Sequence, residues 1–199
     1  MTLDQLIEKA EIVVEESYFP EEWEQMAGTV LAELNPIAKL LETESIAAAE
    51  GEAEILLSNL TNNFYEILAV SYKPAGKRKR LLRKLSPFDS ASTGWHQENN
   101  RIVVRGLSDL PGEIIVDGYL RLGMTEEADS KVFNLPEKYH EIILKGVLAI
   151  AMQKEEELDR KNDFFGEYMM MKNQMQAERI QEMEPWYAQI VAPARLGGS

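Results

Sequence analysis

The chain of 199 residues contains no cysteine and only two histidines, His96 and His140. Without cysteine there can be no disulfide, no thiolate metal ligand and no thiol nucleophile. No apolar run approaches the roughly 20 residues that a membrane-spanning helix needs, and the first residues lack the pattern of a signal peptide. These absences predict a protein that is made and kept in a cytosol and that has no membrane partner.

Recognisable motifs of catalysis are missing as well. The chain has no Gly-x-Ser-x-Gly, no phosphate-cradling glycine-rich loop and no zinc-ligand spacing. Glu137 and His140 have the spacing of a Glu-x-x-His motif, but a dinuclear site needs a second such pair and two more inward glutamates. His96 lies in a predicted loop, and we interpret His140 as an exposed helix residue. We therefore expect no enzyme, no catalytic residue, no metal and no cofactor.

Positive charge is scarce and concentrated in one place. The chain has 34 acidic and 21 basic residues, a net charge of −13. A third of the basic residues lie in residues 73–85 (KPAGKRKRLLRKL), called here the basic segment, which contains no acidic residue. A net charge of this sign disfavours a general nucleic-acid binder, because phosphate attraction needs positive potential.

The N-terminal part of the sequence predicts helices. Apolar residues at helical spacing form a stripe between Leu3 and Val14, and Thr2 with Gln5 has the form of a capping box. Pro20 favours the start of a second helix, whose apolar face runs from Trp23 to Leu34. Asn35 and Pro36 suit the start of a short third helix, and a kinked extension of the second helix is the alternative. Residues 43–56 are rich in alanine and glutamate, and we interpret them as weakly helical or as a connector.

The middle of the sequence predicts strands. Residues 64–72 are rich in aromatic and β-branched side chains, which favours a strand. Asn99 and Asn100 predict the turn of a hairpin between residues 94–97 and 101–105. Residues 113–122 predict another strand. Short connections make these four or five strands antiparallel.

Helices return after Pro136. A strong apolar face runs from Tyr139 to Ala151, and residues 155–160 extend this helix as a charged last turn. Asn162 and Asp163 suit the cap of a final helix that ends at Pro185, and the remaining residues lack a regular period.

This order predicts an α+β fold, in which N- and C-terminal helices form one bundle and an antiparallel β subdomain is inserted between them. The expected boundaries are residues 1–60 for the N-terminal helices and 61–124 for the β subdomain. They are 125–184 for the C-terminal helices and 185–199 for an extended tail.

Several phrases of the sequence resemble the head–tail adaptor (connector) proteins of tailed bacteriophages. They are architectural rather than catalytic, and together they cover most of the chain up to about residue 183. The matching phrases are the helical residues 33–40, the strand FYEILAV at 64–70, GEIIVDGY at 112–119, LPEKYHEII at 135–143 and Glu-Tyr at 167–168.

The resemblance implies a structural component of the virion at the head–tail junction, assembled in the cytoplasm of the bacterial host. Such adaptors form rings of about twelve copies, since head-to-tail contacts between identical subunits can close. The implied partners are the portal protein ring, other copies of the same chain, and tail or head-completion proteins. DNA would pass through the central channel without sequence recognition.

The basic segment admits three interpretations. Its charges can simply face water, they can contact a neighbouring copy, the portal or the DNA channel, or they can bind nucleic acid in a regulatory module. The second interpretation suits an acidic protein, because opposite patches on identical subunits attract. It makes Lys77, Arg78, Lys79, Arg80 and Arg83 candidate interface residues.

Three more candidate interface residues lie near the C-terminus. Three consecutive methionines, residues 169–171, span most of a helical turn, so one of them is expected to face outward, and Met170 is the candidate. Trp186 and Tyr187 are large aromatic residues beyond the last predicted helix, and aromatic anchors dominate interface energies. We expect the tail to dock on the portal or on an adjacent copy, with a fold-back of Trp186 onto its own helices as the alternative.

Overall fold

The computed structural model describes residues 1–48, 53–86, 89, 93–107, 111–127 and 130–195, with the backbone alone from residue 183 onward. The fold is α+β, as the sequence predicts, and its sheets are antiparallel within the described residues. The chain divides into two compact units, Met1–Lys39 with Leu122–Ser199, and Leu40–Arg121. They are called here the helical unit and the β unit.

Two helices open the helical unit, α1 (Leu3–Glu11) and α2 (Pro20–Ala38). The predicted capping box of α1 is confirmed: the Gln5 N–H donates to Thr2 Oγ1 at 3.2 Å, and the Thr2 N–H donates to Gln5 Oε1 at 3.0 Å. Pro20 occupies the first position of α2, as predicted. These helix starts are therefore local features of the sequence.

Of the two alternatives for Asn35 and Pro36, the start of a separate third helix is wrong, because α2 extends through Pro36 and ends at Ala38. Lys39 then takes a left-handed conformation with φ 44°. Asn35 is buried, and its Oδ1 accepts a hydrogen bond from the Leu122 N–H at 2.6 Å. A contact distant in sequence, rather than capping of a new helix, therefore explains the asparagine.

The described residues of the β unit form seven strands in two sheets. They are β1 (Leu41–Ala48), β2 (Ala53–Leu56), β3 (Phe64–Pro74), β4 (Arg80–Leu81), β5 (Gly94–Glu98), β6 (Arg101–Arg105) and β7 (Gly112–Leu120). One sheet has the order β1-β7-β3-β4 and the other β2-β6-β5, and all neighbours are antiparallel. Asn99 and Asn100 form the turn of the β5–β6 hairpin, as predicted.

The interpretation of residues 43–56 as a weak helix or connector is wrong. Residues 41–48 and 53–56 are strands, and residues 49–52 lie outside the described part. β1 pairs with β7 along its whole length, so that Ile46 lies beside Ile114 and Ala48 beside Gly112. Pairing with a distant strand thus overrides the helical preference of alanine and glutamate.

One hydrophobic core is shared by the two sheets of the β unit. It takes buried side chains from six of the strands and from the segments between them. Its members include Ala48, Ile55, Val70, Tyr72, Leu82, Trp95, Ile102, Val104, Ile114 and Val116.

The helical unit resumes with a hairpin that the sequence analysis missed, β8 (Met124–Glu127) and β9 (Ser130–Phe133). Two helices follow, α3 (His140–Lys154) and α4 (Leu158–Arg195). α3 packs on α2 and α4, and α1 packs on β9 and α3. The buried faces include Leu6, Trp23, Leu31, Leu34, Ile143, Val147, Met152 and Met175.

Both predicted ends of the last helix are wrong. α3 ends at Lys154, and Glu156 has a φ of 61°, so residues 155–157 connect two helices instead of extending α3. α4 begins at Leu158, before the predicted cap at Asn162, and it continues through Pro185 to Arg195. The tail predicted as extended from residue 185 is therefore helical to residue 195, and residues 196–199 lie outside the described part.

Candidate functional site

The basic segment forms the β3–β4 hairpin and the strand crossing that follows it. The chain turns at Gly76, with a φ of 71°, and the Lys77 N–H donates to the Pro74 carbonyl at 3.0 Å. After β4 the chain leaves the four-stranded sheet and joins β5. There the Trp95 N–H donates to the Arg83 carbonyl at 2.9 Å. The segment thus connects the two sheets of the β unit.

Two leucines lie among the cations at the end of this segment. Leu82 and Leu85 are buried, with 4% and 5% of their surface exposed. These two buried leucines anchor the end of the segment, and the cations beside them, Arg83 and Lys84, are exposed. All seven cations are exposed: Lys73, Lys77, Arg78, Lys79, Arg80, Arg83 and Lys84.

Three of these cations pair with carboxylates of the same unit. Lys79 Nζ lies 3.4 Å from Oδ2 of Asp117, a buried residue of β7. Asp117 also accepts a hydrogen bond from the Thr43 hydroxyl at 2.7 Å, so its charge has two partners on neighbouring chain segments. The other two pairs are longer and more exposed: Lys73 with Glu113 at 3.5 Å, and Arg83 with Asp89 at 3.8 Å.

Two more cations cover aromatic rings of the core. The Arg80 guanidinium lies 5.4 Å from the centre of the Tyr72 ring, and Lys84 Nζ lies 5.0 Å from that of the Trp95 ring. Both distances are within the range of a cation–π interaction. Arg80 and Lys84 therefore cover the edge of the hydrophobic core, while both side chains stay exposed to solvent.

Lys77 and Arg78 differ from the other five cations. They lie at the tip of the hairpin, and no residue in the described part of the chain forms a hydrogen bond or ion pair with either side chain. All five candidate cations are exposed, and within the described residues only these two have no hydrogen-bond, ion-pair or ring partner.

Met170 lies in the other unit, on α4. Tyr168 and Met175 are buried on the inner face of that helix, whereas Met170 is 65% exposed. Met170 comes two residues after Tyr168, and this places the two side chains roughly 200° apart around the helix axis, on opposite faces. The prediction that one of the three methionines faces outward is confirmed, and its role at an interface stays a prediction. Trp186 and Tyr187 lie in the helix, but their side chains are outside the described part.

Contacts along α4 that the sequence did not predict hold the helix against α2 and α3. The Arg179 guanidinium donates to the carbonyls of Ala38 and Lys39, at 2.7 and 2.9 Å, and so covers the end of α2. The Tyr168 hydroxyl donates to Glu33 at 3.0 Å. Burial, with Glu33 beside it, raises the pKa of Tyr168. Helical spacing alone places Tyr168 inward but does not reveal its partner.

His140 is buried, which corrects its interpretation as an exposed residue. Its Nε2 lies 2.6 Å from the Leu135 carbonyl, so this nitrogen carries a hydrogen and donates, and Nδ1 lies 2.9 Å from the Met1 nitrogen. Burial lowers the pKa of His140. His96 lies in β5, which agrees with the hairpin strand predicted at residues 94–97 and corrects the assignment of this histidine to a loop. Within the described residues, no three His, Asp or Glu side chains are grouped as metal ligands would be.

A cavity of about 310 Å³ lies among α2, α3 and α4. Its walls are largely apolar and include Val30, Ile150 and Phe165. Glu33 and Tyr168 also line it, and they are hydrogen-bonded to each other. This arrangement offers a groove for an apolar group rather than a nucleophile beside a base.

Comparison with known proteins gives no match to any family model and no similar curated protein. No helix in the described residues combines the length and apolar character that crossing a membrane requires.

Proposed function

We propose that this protein is a head–tail adaptor of a tailed bacteriophage. It docks as a ring beneath the portal, connects the capsid to the tail and extends the DNA channel. The resemblance of residues 33–40, 64–70, 112–119 and 135–143 to that family supports the proposal. The protein works as a structural part of the virion and performs no catalysis.

The observation that carries the proposal is the tip of the basic segment. In a chain of net charge −13, Lys77 and Arg78 project without an internal partner in the described residues. An exposed positive charge on an otherwise acidic protein favours contact with an acidic surface of another protein. Identical acidic subunits with one basic projection each can associate head to tail around an axis.

The proposed partners are those that the resemblance implies. One ring contains about twelve copies, if it matches the symmetry that the resemblance implies. Its faces meet the portal ring on one side and tail or head-completion proteins on the other. DNA passes through the centre, where acidic surfaces would reduce its adhesion.

The test is to mix the purified protein with its cognate portal and to image the complexes by electron microscopy. We expect a second ring below the portal in the wild type. The double variant Lys77→Glu/Arg78→Glu should give far fewer such rings. The control Lys9→Glu/Lys161→Glu makes the same change in net charge within the helical unit and should leave ring formation intact. Absence of a second ring with wild-type protein would contradict the proposal.

The second candidate is a nucleic-acid-binding or regulatory module that uses residues 73–85. The observation in its favour is that Lys77 and Arg78 are exposed and have no partner among the described residues. A gel shift with DNA that weakens with salt and is lost in Lys77→Glu/Arg78→Glu would favour it. Ring formation on the portal without such a shift would exclude it.

A further inference from the structure

The four-stranded sheet of the β unit ends on one side at β1, an edge strand of eight residues. Its pairing with β7 runs from Leu41 to Ala48 without a register shift. No second strand within the described residues pairs with its other edge. Such an edge presents a row of N–H and C=O groups to which a further strand can bind.

The hydrogen-bond pattern shows which residues of β1 face outward. The Leu120 N–H donates to the Leu40 carbonyl at 2.7 Å, so residues 40 and 120 are a hydrogen-bonded pair. In an antiparallel ladder, bonded and non-bonded pairs alternate. Residues at odd positions therefore direct their N–H and C=O groups away from β7. They are Leu41, Thr43, Ser45 and Ala47, and the side chains of the last three are exposed.

β1 also lacks the features that usually protect an edge strand. It contains no lysine, no proline and no bulge. Its charges are those of Glu42 and Glu44, and Glu42 is exposed. Glu44 accepts hydrogen bonds from the N–H groups of Thr61 and Asn62, at 2.7 and 2.9 Å. Within the described residues, the β1 edge is thus unpaired and acidic.

The opposite edge of the same sheet is β4, within the basic segment. The Leu82 N–H donates to the Val70 carbonyl at 2.9 Å, so the N–H and C=O of Leu81 point away from β3. The Leu81 side chain is 50% exposed. Beyond it, the Arg83 carbonyl is already used by β5. The β4 edge is therefore short, and it carries positive charge.

The directions of the strands allow these two edges to pair between copies. Each neighbour in the order β1-β7-β3-β4 is antiparallel, so β4 runs opposite to β1. If β4 of one copy lies along β1 of a second copy, the sheet continues with the same alternation. Because the two edges are different surfaces, the contact is head to tail and repeats around a ring.

We propose that β4 of one copy, with Lys77 and Arg78 beside it, adds to the β1 edge of a second copy and forms a sheet that continues across the subunit boundary. The inference rests on the proposed function in identifying this contact as the one between ring neighbours. The β4 edge is only two residues long, so each contact is weak in solution. A portal that holds copies side by side raises their effective concentration and completes the ring.

The first test uses the absence of native cysteine. Ser45→Cys and Leu81→Cys variants are mixed at high concentration and treated with a short bismaleimide. We expect cross-linked dimers in the mixture and none with either variant alone. A mixture of Met170→Cys and Leu81→Cys, in which Met170 lies outside the contact, is the control and should give no dimer. Dimers formed by Ser45→Cys alone would overturn the proposal, since they indicate β1 paired with β1.

The second test exchanges the charges across the contact. In an antiparallel pair with residue 45 opposite residue 81, Glu42 lies opposite Lys84. In the same cysteine variants, Lys84→Glu on the Leu81→Cys copy should therefore lower the dimer yield roughly three- to tenfold, and so should Glu42→Lys on the Ser45→Cys copy. Combining the two reversed copies should restore part of the yield. Yields that do not respond to either reversal would contradict the proposal.

The two proposals can fail separately. If wild-type protein adds a ring to the portal but Ser45→Cys and Leu81→Cys copies in that ring do not cross-link, the pairing of β1 with β4 is wrong and the adaptor function stands. If the copies cross-link in solution and no ring forms on the portal, the pairing stands and the adaptor function is wrong.

Discussion

At the residue scale, buried polar side chains make specific connections that the hydrophobic pattern cannot supply. Asn35 of α2 binds the main chain at Leu122, and Arg179 of α4 binds the carbonyls at the end of α2. A buried N–H or C=O without a partner costs free energy, so each such contact stabilises one arrangement of the helical unit. Two such residues, Asn35 and His140, lead to predictions about the stability of the protein.

Replacing Asn35 by alanine should destabilise the protein by about 1–3 kcal/mol, because it leaves the buried Leu122 N–H without an acceptor. Urea denaturation measures this loss. Thr29→Ala is the control on the same helix: Thr29 is exposed, its hydroxyl contacts only the Gln25 carbonyl, and the change should be within about 0.5 kcal/mol. Equal losses in the two variants would contradict the role assigned to Asn35.

His140 should make stability depend on pH. Its folded pKa is lowered from 6.5 by burial, so in this range the unfolded chain binds the proton more readily than the folded one. The free energy of unfolding should therefore decrease as the pH falls from 7.5 to 5.5. In His140→Gln, whose amide can still donate to the Leu135 carbonyl, this decrease should be smaller. Denaturant unfolding of the wild type and of His140→Gln at the two pH values measures this decrease. An identical pH dependence of the free energy of unfolding in the two proteins would refute the role of His140.

At the element scale, the distance between α2 and α3 depends on one glycine. A Cβ atom at Gly146 of α3 would lie 2.8 Å from Cγ2 of Val30 on α2, and Val30 is buried. Its β-branched side chain has little freedom to rotate away. The helix interior thus contains a residue of low helix propensity because a neighbouring helix requires the space.

Gly146→Ala should therefore destabilise the protein by about 1–3 kcal/mol, despite the higher helix propensity of alanine. Gly166 of α4 is the matched control, since nothing lies within 4 Å of a Cβ built there. Gly166→Ala should stabilise the protein by about 0.5–1 kcal/mol. Urea denaturation of both variants tests whether the free energy of unfolding decreases in Gly146→Ala and increases in Gly166→Ala. A gain in stability for Gly146→Ala would show that the helices can move apart without cost.

At the scale of the whole molecule, each of the two units buries a hydrophobic cluster of its own. In the described part of the β unit, the buried members of this cluster lie between Ala48 and Val116. The helical unit buries its own side chains among α1, α2, α3 and α4. A chain built in this way need not unfold in a single cooperative step.

We expect calorimetry to show two transitions, each affected by variants of one unit only. Gly146→Ala should lower the transition of the helical unit, and Val116→Ala, at a fully buried position, should lower that of the β unit by several degrees. A single transition that both variants shift equally would show that the units unfold together.

Whether the sequence predicts a feature of this structure depends on how far apart in the chain the interacting residues lie. The Thr2–Gln5 capping box, the start of α2 at Pro20 and the turn at Asn99 act over a few residues, and all three are confirmed. For the candidate site, the sequence indicates the concentration of cations in residues 73–85. It does not reveal that only Lys77 and Arg78 lack a partner in the described residues, because the partners of the other cations come from elements distant in sequence or from core rings.

The sequence by itself determined the α+β class, the helices with strong apolar faces and the uneven charge, since these depend on composition and on spacing within single elements. Only the tertiary structure decided that residues 41–48 form a strand, that α2 continues through Pro36, and that β1 and β4 occupy opposite edges of one sheet. The physical reason is that strand pairing and helix contacts join residues far apart in the chain, and their free energy exceeds the local preferences that a sequence displays.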